Sequence, residues 1–303
     1  MVMEALVLFT SHRVEMLKHF EEYAERFDKI VIEEPRDNLF EKMLKGEIAI
    51  EDYVDQLNTA FPLYSQYQCE LLRKLYSAGK EIYQVEPYLE ILEMIHKAIE
   101  KDRLDELPDS EDVRKVREIE RKVNKAWIEY QEAFIKKDFD GLVNAMIEFT
   151  RADAERFKIR DEMRAREIAK IDGKILVEAG HIHILLPKYL ENYGFKVSTV
   201  SLPEMVAKKL GIEFYQNPAN LLTIKFMLGE KVDENEAKIM AARGLIYISL
   251  TPKEELLPSD DEPYPHLIRE CKLAKMVNKL SYEECKRLFY KIWTRRSSEA
   301  KET

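Results

Sequence analysis

The chain has 303 residues, with 48 Lys and Arg against 57 Asp and Glu, for a formal net charge of −9. That length suits about two domains of roughly 150 residues, or one α/β unit carrying an insertion. An apolar share of 46% excludes a disordered chain, and the acidic balance disfavours a nucleic-acid partner, whose phosphates call for clustered Lys and Arg.

Charged residues reach 35%, while glycine numbers only 9. This is the balance of heat-adapted, thermophilic proteins and equally of helix-rich ones. Cys69, Cys271 and Cys285 are odd in number and widely spaced, so they specify neither a disulfide framework nor a thiolate zinc site. No run approaches the ~18 apolar residues of a membrane span, and Met1–Glu4 carries no basic lead. A cytoplasmic protein without a membrane partner is expected.

In chain order, four short apolar runs have strand character: Ala5–Thr10, Lys29–Ile32, Glu81–Val85 and Lys174–Ala179. Phe195–Leu202 alternates β-branched residues and predicts a fifth strand, and Gly244–Leu250 a sixth. Helical patterns separate most of them, so the expected fold is α/β with a mixed or mostly parallel central sheet. Between the third and fourth runs, Val113, Val116, Val123, Trp127, Tyr130 and Phe134 form the stripe of a long helix, with Ser110 as its cap. After a break near residues 138–141, Leu142, Met146 and Phe149 begin a second stripe. The pair predicts a helical hairpin inserted at about residues 91–171 of a core spanning 1–202. A mostly helical extension is expected over 203–303.

The second stripe continues through Asp153 to Arg160, so Arg160 is expected to face inward, with Asp153 or Glu33 as its partner. Arg164 and Arg166 read as members of a surface ion-pair lattice. At strand ends stand His12, after the first run, Glu33 and Glu34 after the second, and His181 and His183 after the fourth. Ligands of open α/β sheets bind at those carboxyl ends. Two histidines and a carboxylate there suit a divalent metal or a general base with its orienting partner. His19 and His96 read as structural or exposed residues of charged helices, and His266 as a loop residue.

At these residues the chain resembles the superfamily of TraB/PrgY proteins, Tiki proteases, erythromycin esterases and ChaN-like haem-binding proteins. Gly180-His181-Ile182-His183 resembles its second Gly-x-x-His, Arg160-Asp161-Glu162-Met163 its Arg-Asp-x-Met helix, and Ile32-Glu33 its strand-terminal glutamate. Phe9-Thr10-Ser11-His12 keeps the first histidine, but Phe9 stands where the family has glycine. The resemblance covers about residues 4–202. It implies a hydrolase, peptidase- or esterase-like, with His12, Glu33, Arg160 and His183 as catalytic residues. His12, Glu33 and His183 would hold a divalent ion, Mn²⁺ or similar. The alternative it implies is a non-enzymatic protein that binds a haem-like, small-molecule or peptide ligand, for which Tyr64, Tyr67, Tyr76 and Tyr83 supply aromatic character.

Overall fold

Five of the six apolar runs form strands in the computed structural model, which describes residues 3–57 and 59–302, with side chains to residue 294. They are β1 (Glu4–Thr10), β2 (Lys29–Ile32), β3 (Glu81–Gln84), β4 (Lys174–Gly180) and β5 (Lys196–Ser201). All pair in parallel, in the order β3-β2-β4-β1-β5. Val7 and Leu8 of β1, Ile30, Val31 and Ile32 of β2, and Ile175, Leu176 and Val177 of β4 are wholly buried. Burial on both faces is why these strands read as continuous apolar runs rather than alternating ones.

The helices are α1 (Val14–Ala24), α2 (Phe40–Leu44), α3 (Ile50–Val54), α4 (Pro62–Ser77), α5 (Pro87–Glu100), α6 (Glu111–Ile135), α7 (Phe139–Ile168), α8 (Leu186–Asn192), α9 (Leu202–Lys209), α10 (Pro218–Met227), α11 (Glu234–Leu250), α12 (Pro265–Val277) and α13 (Tyr282–Glu302). None of the described helices is long and apolar enough to cross a membrane. Ser110 caps α6 by accepting from Val113 N at 3.2 Å. The turn into α7 places Lys137 at φ 55°, and Asp138 caps α7 by accepting from Gly141 N at 3.0 Å.

The sixth expected strand, Gly244–Leu250, is instead the end of α11. Asp233 starts that helix by accepting from Asn235 N and Glu236 N. Buried Ala237, Ala241, Ala242, Leu245 and Ile246 then follow the helical period, which outweighs the β-branched tail. Gly244 is required by packing: a Cβ there would lie 2.7 Å from that of Ala219 on α10. His266, expected in a loop, is buried near the start of α12. Its N–H and that of Leu267 donate to the Glu15 carboxylate of α1 at 3.0 and 2.8 Å.

Contacts group the chain into two units, each discontinuous in sequence. The first comprises residues 1–113, 158–214 and 254–267 and contains the sheet. The second comprises residues 114–157, 215–253 and 268–303, and its core joins Phe139, Leu142 and Val143 with Leu222, Ala241, Ile246 and Phe289.

The strand order fixes where a site can lie. The chain leaves β2 outward to β3, whereas it leaves β4 across β1 to β5. Neighbours β2 and β4 therefore send their connections in opposite directions, and a crevice opens at their carboxyl ends.

Candidate functional site

Glu33 leaves β2 and His183 follows β4 across that crevice. Glu33 Oε1 meets His183 Nε2 at 2.7 Å, while Glu33 Oε2 accepts from Gly180 N at 2.6 Å. Arg160 reaches Glu33 from α7, with Nη2 3.3 Å from Glu33 Oε1. His12, half-buried after β1, completes the ring. A Cβ on Gly180 would sit 3.5 Å from Glu33 Oε2, 3.7 Å from His12 Cε1 and 3.8 Å from His183 Cδ2. Asp153, one of the two expected partners of Arg160, pairs with Arg156. Glu33 is the partner found, together with Glu86.

Four further ionisable groups belong to this cluster and were not among the site residues expected from the sequence. Glu86 stands two residues past the end of β3, at the N-cap of α5. Its Oε2 lies 3.2 Å from Arg160 Nη2, and its Oε1 accepts from Arg160 Nε at 3.3 Å. The signal was present, since Glu86-Pro87 ends its strand just as Glu33-Glu34-Pro35 ends the second. Asp161 is fully buried, binds His183 Nδ1, and accepts from Leu185 N at 3.1 Å. Glu178 is an acid inside an otherwise apolar strand, a pattern that demands partners. Tyr64 Oη donates to it at 2.9 Å, and Gln68 Nε2 reaches both its oxygens at 3.1 Å.

The fourth is Arg164, and here the surface-lattice expectation is corrected. Arg164 is 0% exposed. Its Nε donates to Val85 O at 2.9 Å and its Nη2 to Glu178 O at 2.6 Å, which ties the ends of β3 and β4 together. Nη1 stands 3.5 Å from Glu33 Oε2. The inward stripe from Met146 predicts this position, because Arg164 lies about five turns further along the same face. Arg166 does pair at the surface, with Asp112.

These contacts set the charges. Burial disfavours a charged Glu33, but His183 and then Arg164 and His12 outweigh it and hold the carboxyl well below its ordinary range. Burial likewise opposes the His183 imidazolium, yet Glu33 and Asp161, one at each ring nitrogen, lift its pKa to about 9. Arg160 is desolvated too, and Glu86 and Glu33 more than compensate, raising its pKa further. Burial raises Glu178 and brings Glu34 up to about 7. His181 moves the other way, to about 4, through burial and the nearby His12.

A protein of Archaeoglobus fulgidus described as uncharacterized is 39% identical over 290 residues, which cover 96% of this chain and 99% of that one. The chain belongs to the family of this archaeal protein. No family model and no solved structure matches the chain.

In this member of the archaeal family, Glu33, Glu86 and His183 each offer one ligand atom, and those atoms lie within 4.8 Å of one another. The group could hold a metal ion. Glu86 Oε2 is buried without a hydrogen bond and is ion-paired with Arg160 Nη2 at 3.2 Å. Asp161 at His183 Nδ1 fixes the ring orientation, the arrangement that an outer carboxylate has behind a ligating imidazole. The trio differs from the expected His12, Glu33 and His183: His12 reaches the ring of groups around Gly180 but is not among the three.

His183 also gives the metal-free protein a pH signature. Its folded pKa of about 9 exceeds the ~6.5 of an unfolded imidazole, so protonation favours folding. That stabilisation, on the order of 3 kcal/mol, is complete below about pH 6.5 and is lost as pH rises through 9. Glu34 adds an earlier decline, from its unfolded value of 4.5 up to about 7. Chelator-treated protein should unfold in less urea at about pH 9.5 than at about 6.5, and His183→Gln should flatten that difference. Equal midpoints in the unaltered protein would refute the imidazolium.

Proposed function

We propose that this protein is a metal-assisted hydrolase of peptide or ester bonds, acting on a small-molecule or peptide substrate at the β2–β4 crevice. The observation that carries this reading is the meeting of Glu33, His183 and Arg160 at one switch point of the sheet, 2.7 and 3.3 Å apart through a single carboxylate oxygen. Glu33, Glu86 and His183 would hold the cation. Two carboxylates and one imidazole suit Mn²⁺ or a related ion better than a structural zinc site does. A bound divalent ion supplies Lewis acidity to the scissile carbonyl and acidifies water.

The chain's own residues supply the rest. Asp161 fixes the His183 ring, leaving Nε2 for the cluster once the imidazolium has lost its proton. Arg160, the less buried guanidinium, receives the oxyanion that forms as water adds to the carbonyl. His12, half-buried beside Gly180, takes a proton from the attacking water and returns it to the leaving amine or alcohol.

A panel of peptide and ester substrates with added Mn²⁺ tests the proposal. Turnover should appear, and Glu33→Gln and His183→Ala should each reduce it about 100-fold or more. Stoichiometric ligand capture without turnover on any substrate would sink the hydrolase reading and leave a binding protein on this fold. An absorbance scan for haem would then be the next measurement.

A further inference from the structure

The two guanidinium groups of the cluster are held differently. Arg164 is anchored by two backbone carbonyls and is 0% exposed. The Arg160 side chain retains 12% exposure, and its Nη2 stands between Glu33 Oε1 at 3.3 Å and Glu86 Oε2 at 3.2 Å. Those are the two carboxylates of the candidate metal group. A guanidinium bridging them already neutralises what a cation would neutralise, from the position a cation would approach. Arg164 already shares both carboxylates, at 3.5 and 3.8 Å, so a divalent ion would be a third cation on the pair and would repel the nearer and less anchored guanidinium.

We propose that Arg160 and a divalent cation are alternative occupants of the Glu33–Glu86 pair. Arg160 is a built-in competitor that keeps the group closed to metal. Metal entry displaces the guanidinium toward the solvent side, while Arg164 stays locked to Val85 and Glu178. The inference rests on the reading that Glu33, Glu86 and His183 ligate metal, and it adds that loading requires a side-chain exchange. The displaced guanidinium is then the one left to meet a substrate oxyanion, so vacating the carboxylates and presenting the anion site become one movement.

Titration of the chelator-treated full-length protein with Mn²⁺ at one fixed pH, followed by electron paramagnetic resonance of the free ion, tests this. Arg160→Gln should bind Mn²⁺ about tenfold or more tightly than the unaltered protein. Arg160→Lys, which keeps a positive charge, should bind less tightly than Arg160→Gln. Adding Glu86→Gln to either background should abolish the site. Circular dichroism establishes that each variant is folded, and Arg160→Lys preserves the comparison if Arg160→Gln is not. Equal Mn²⁺ affinity in all Arg160 variants, still lost with Glu86→Gln, would overturn the competition and keep the metal site. No Glu86-dependent binding in any variant would overturn both.

Discussion

Arg164→Ala is expected to lower the unfolding free energy by about 3–5 kcal/mol, the cost of removing one partner from a buried charged network. The substitution leaves the carbonyls of Val85 and Glu178 without their donors. It also strips Glu33 and Glu86 of a cation 3.5 and 3.8 Å away, leaving Arg160, and for Glu33 also His183, as their remaining positive partners. Arg164→Lys should recover only part of the loss, because an ammonium retains the charge but lacks the planar fork that spans two carbonyls. Arg166→Ala provides the contrast. Its side chain is 43% exposed and its partner Asp112 29% exposed, a setting in which an ion pair is worth about 0–1 kcal/mol. Urea melts of the three variants decide the matter. Similar losses for Arg164→Ala and Arg166→Ala would mean that the cluster does not hold the strand ends together.

Asp161→Asn should reduce metal affinity about 10–100-fold, the usual consequence of losing the outer carboxylate behind a ligating histidine. The carboxylate accepts on both oxygens, from His183 Nδ1 and from Leu185 N. An amide has one acceptor and one donor end. With its oxygen on Leu185 N, its NH₂ faces Nδ1 and forces the proton to Nε2, the nitrogen that points at Glu33 and would ligate. With the amide flipped, donor meets donor at Leu185. Either way one buried contact fails, so a loss of about 1–3 kcal/mol in stability accompanies the loss of affinity. Mn²⁺ titration beside thermal melts separates the two effects. Unchanged affinity in a destabilised protein would reduce Asp161 to a structural anchor and remove His183 from the ligand set.

Much of this site was legible because strand ends are legible. Apolar runs bounded by polar residues mark where the backbone of a buried sheet must emerge, and Glu33 and His183 stand at such points. Glu86 obeys the same rule at the third strand, and the same helix stripe that leads to Arg160 continues to Arg164. Both were readable from period and position. Asp161 was not, because its neighbour Arg160 occupies the stripe and a residue one step around the helix carries no period of its own. Glu178 was visible as an acid in an apolar strand, but its partners Tyr64 and Gln68 come from a helix more than a hundred residues away.

The sequence by itself determined the five strands, their α/β character, the capped helical hairpin and the strand-end placement of His12, Glu33 and His183, since each follows from local period, capping chemistry and short polar exits. Its misreading of Gly244–Leu250 has the same root: a short apolar run does not distinguish a strand from a buried helix end, and the helical period that begins upstream at Ala237, completed by packing of Gly244 against Ala219, decides. The strand order, which inserts β4 between β2 and β1, was the tertiary structure's to decide. That order puts Glu33 beside His183 and sets their charges, because Coulomb energies and desolvation depend on distances across the chain, not on neighbours along it.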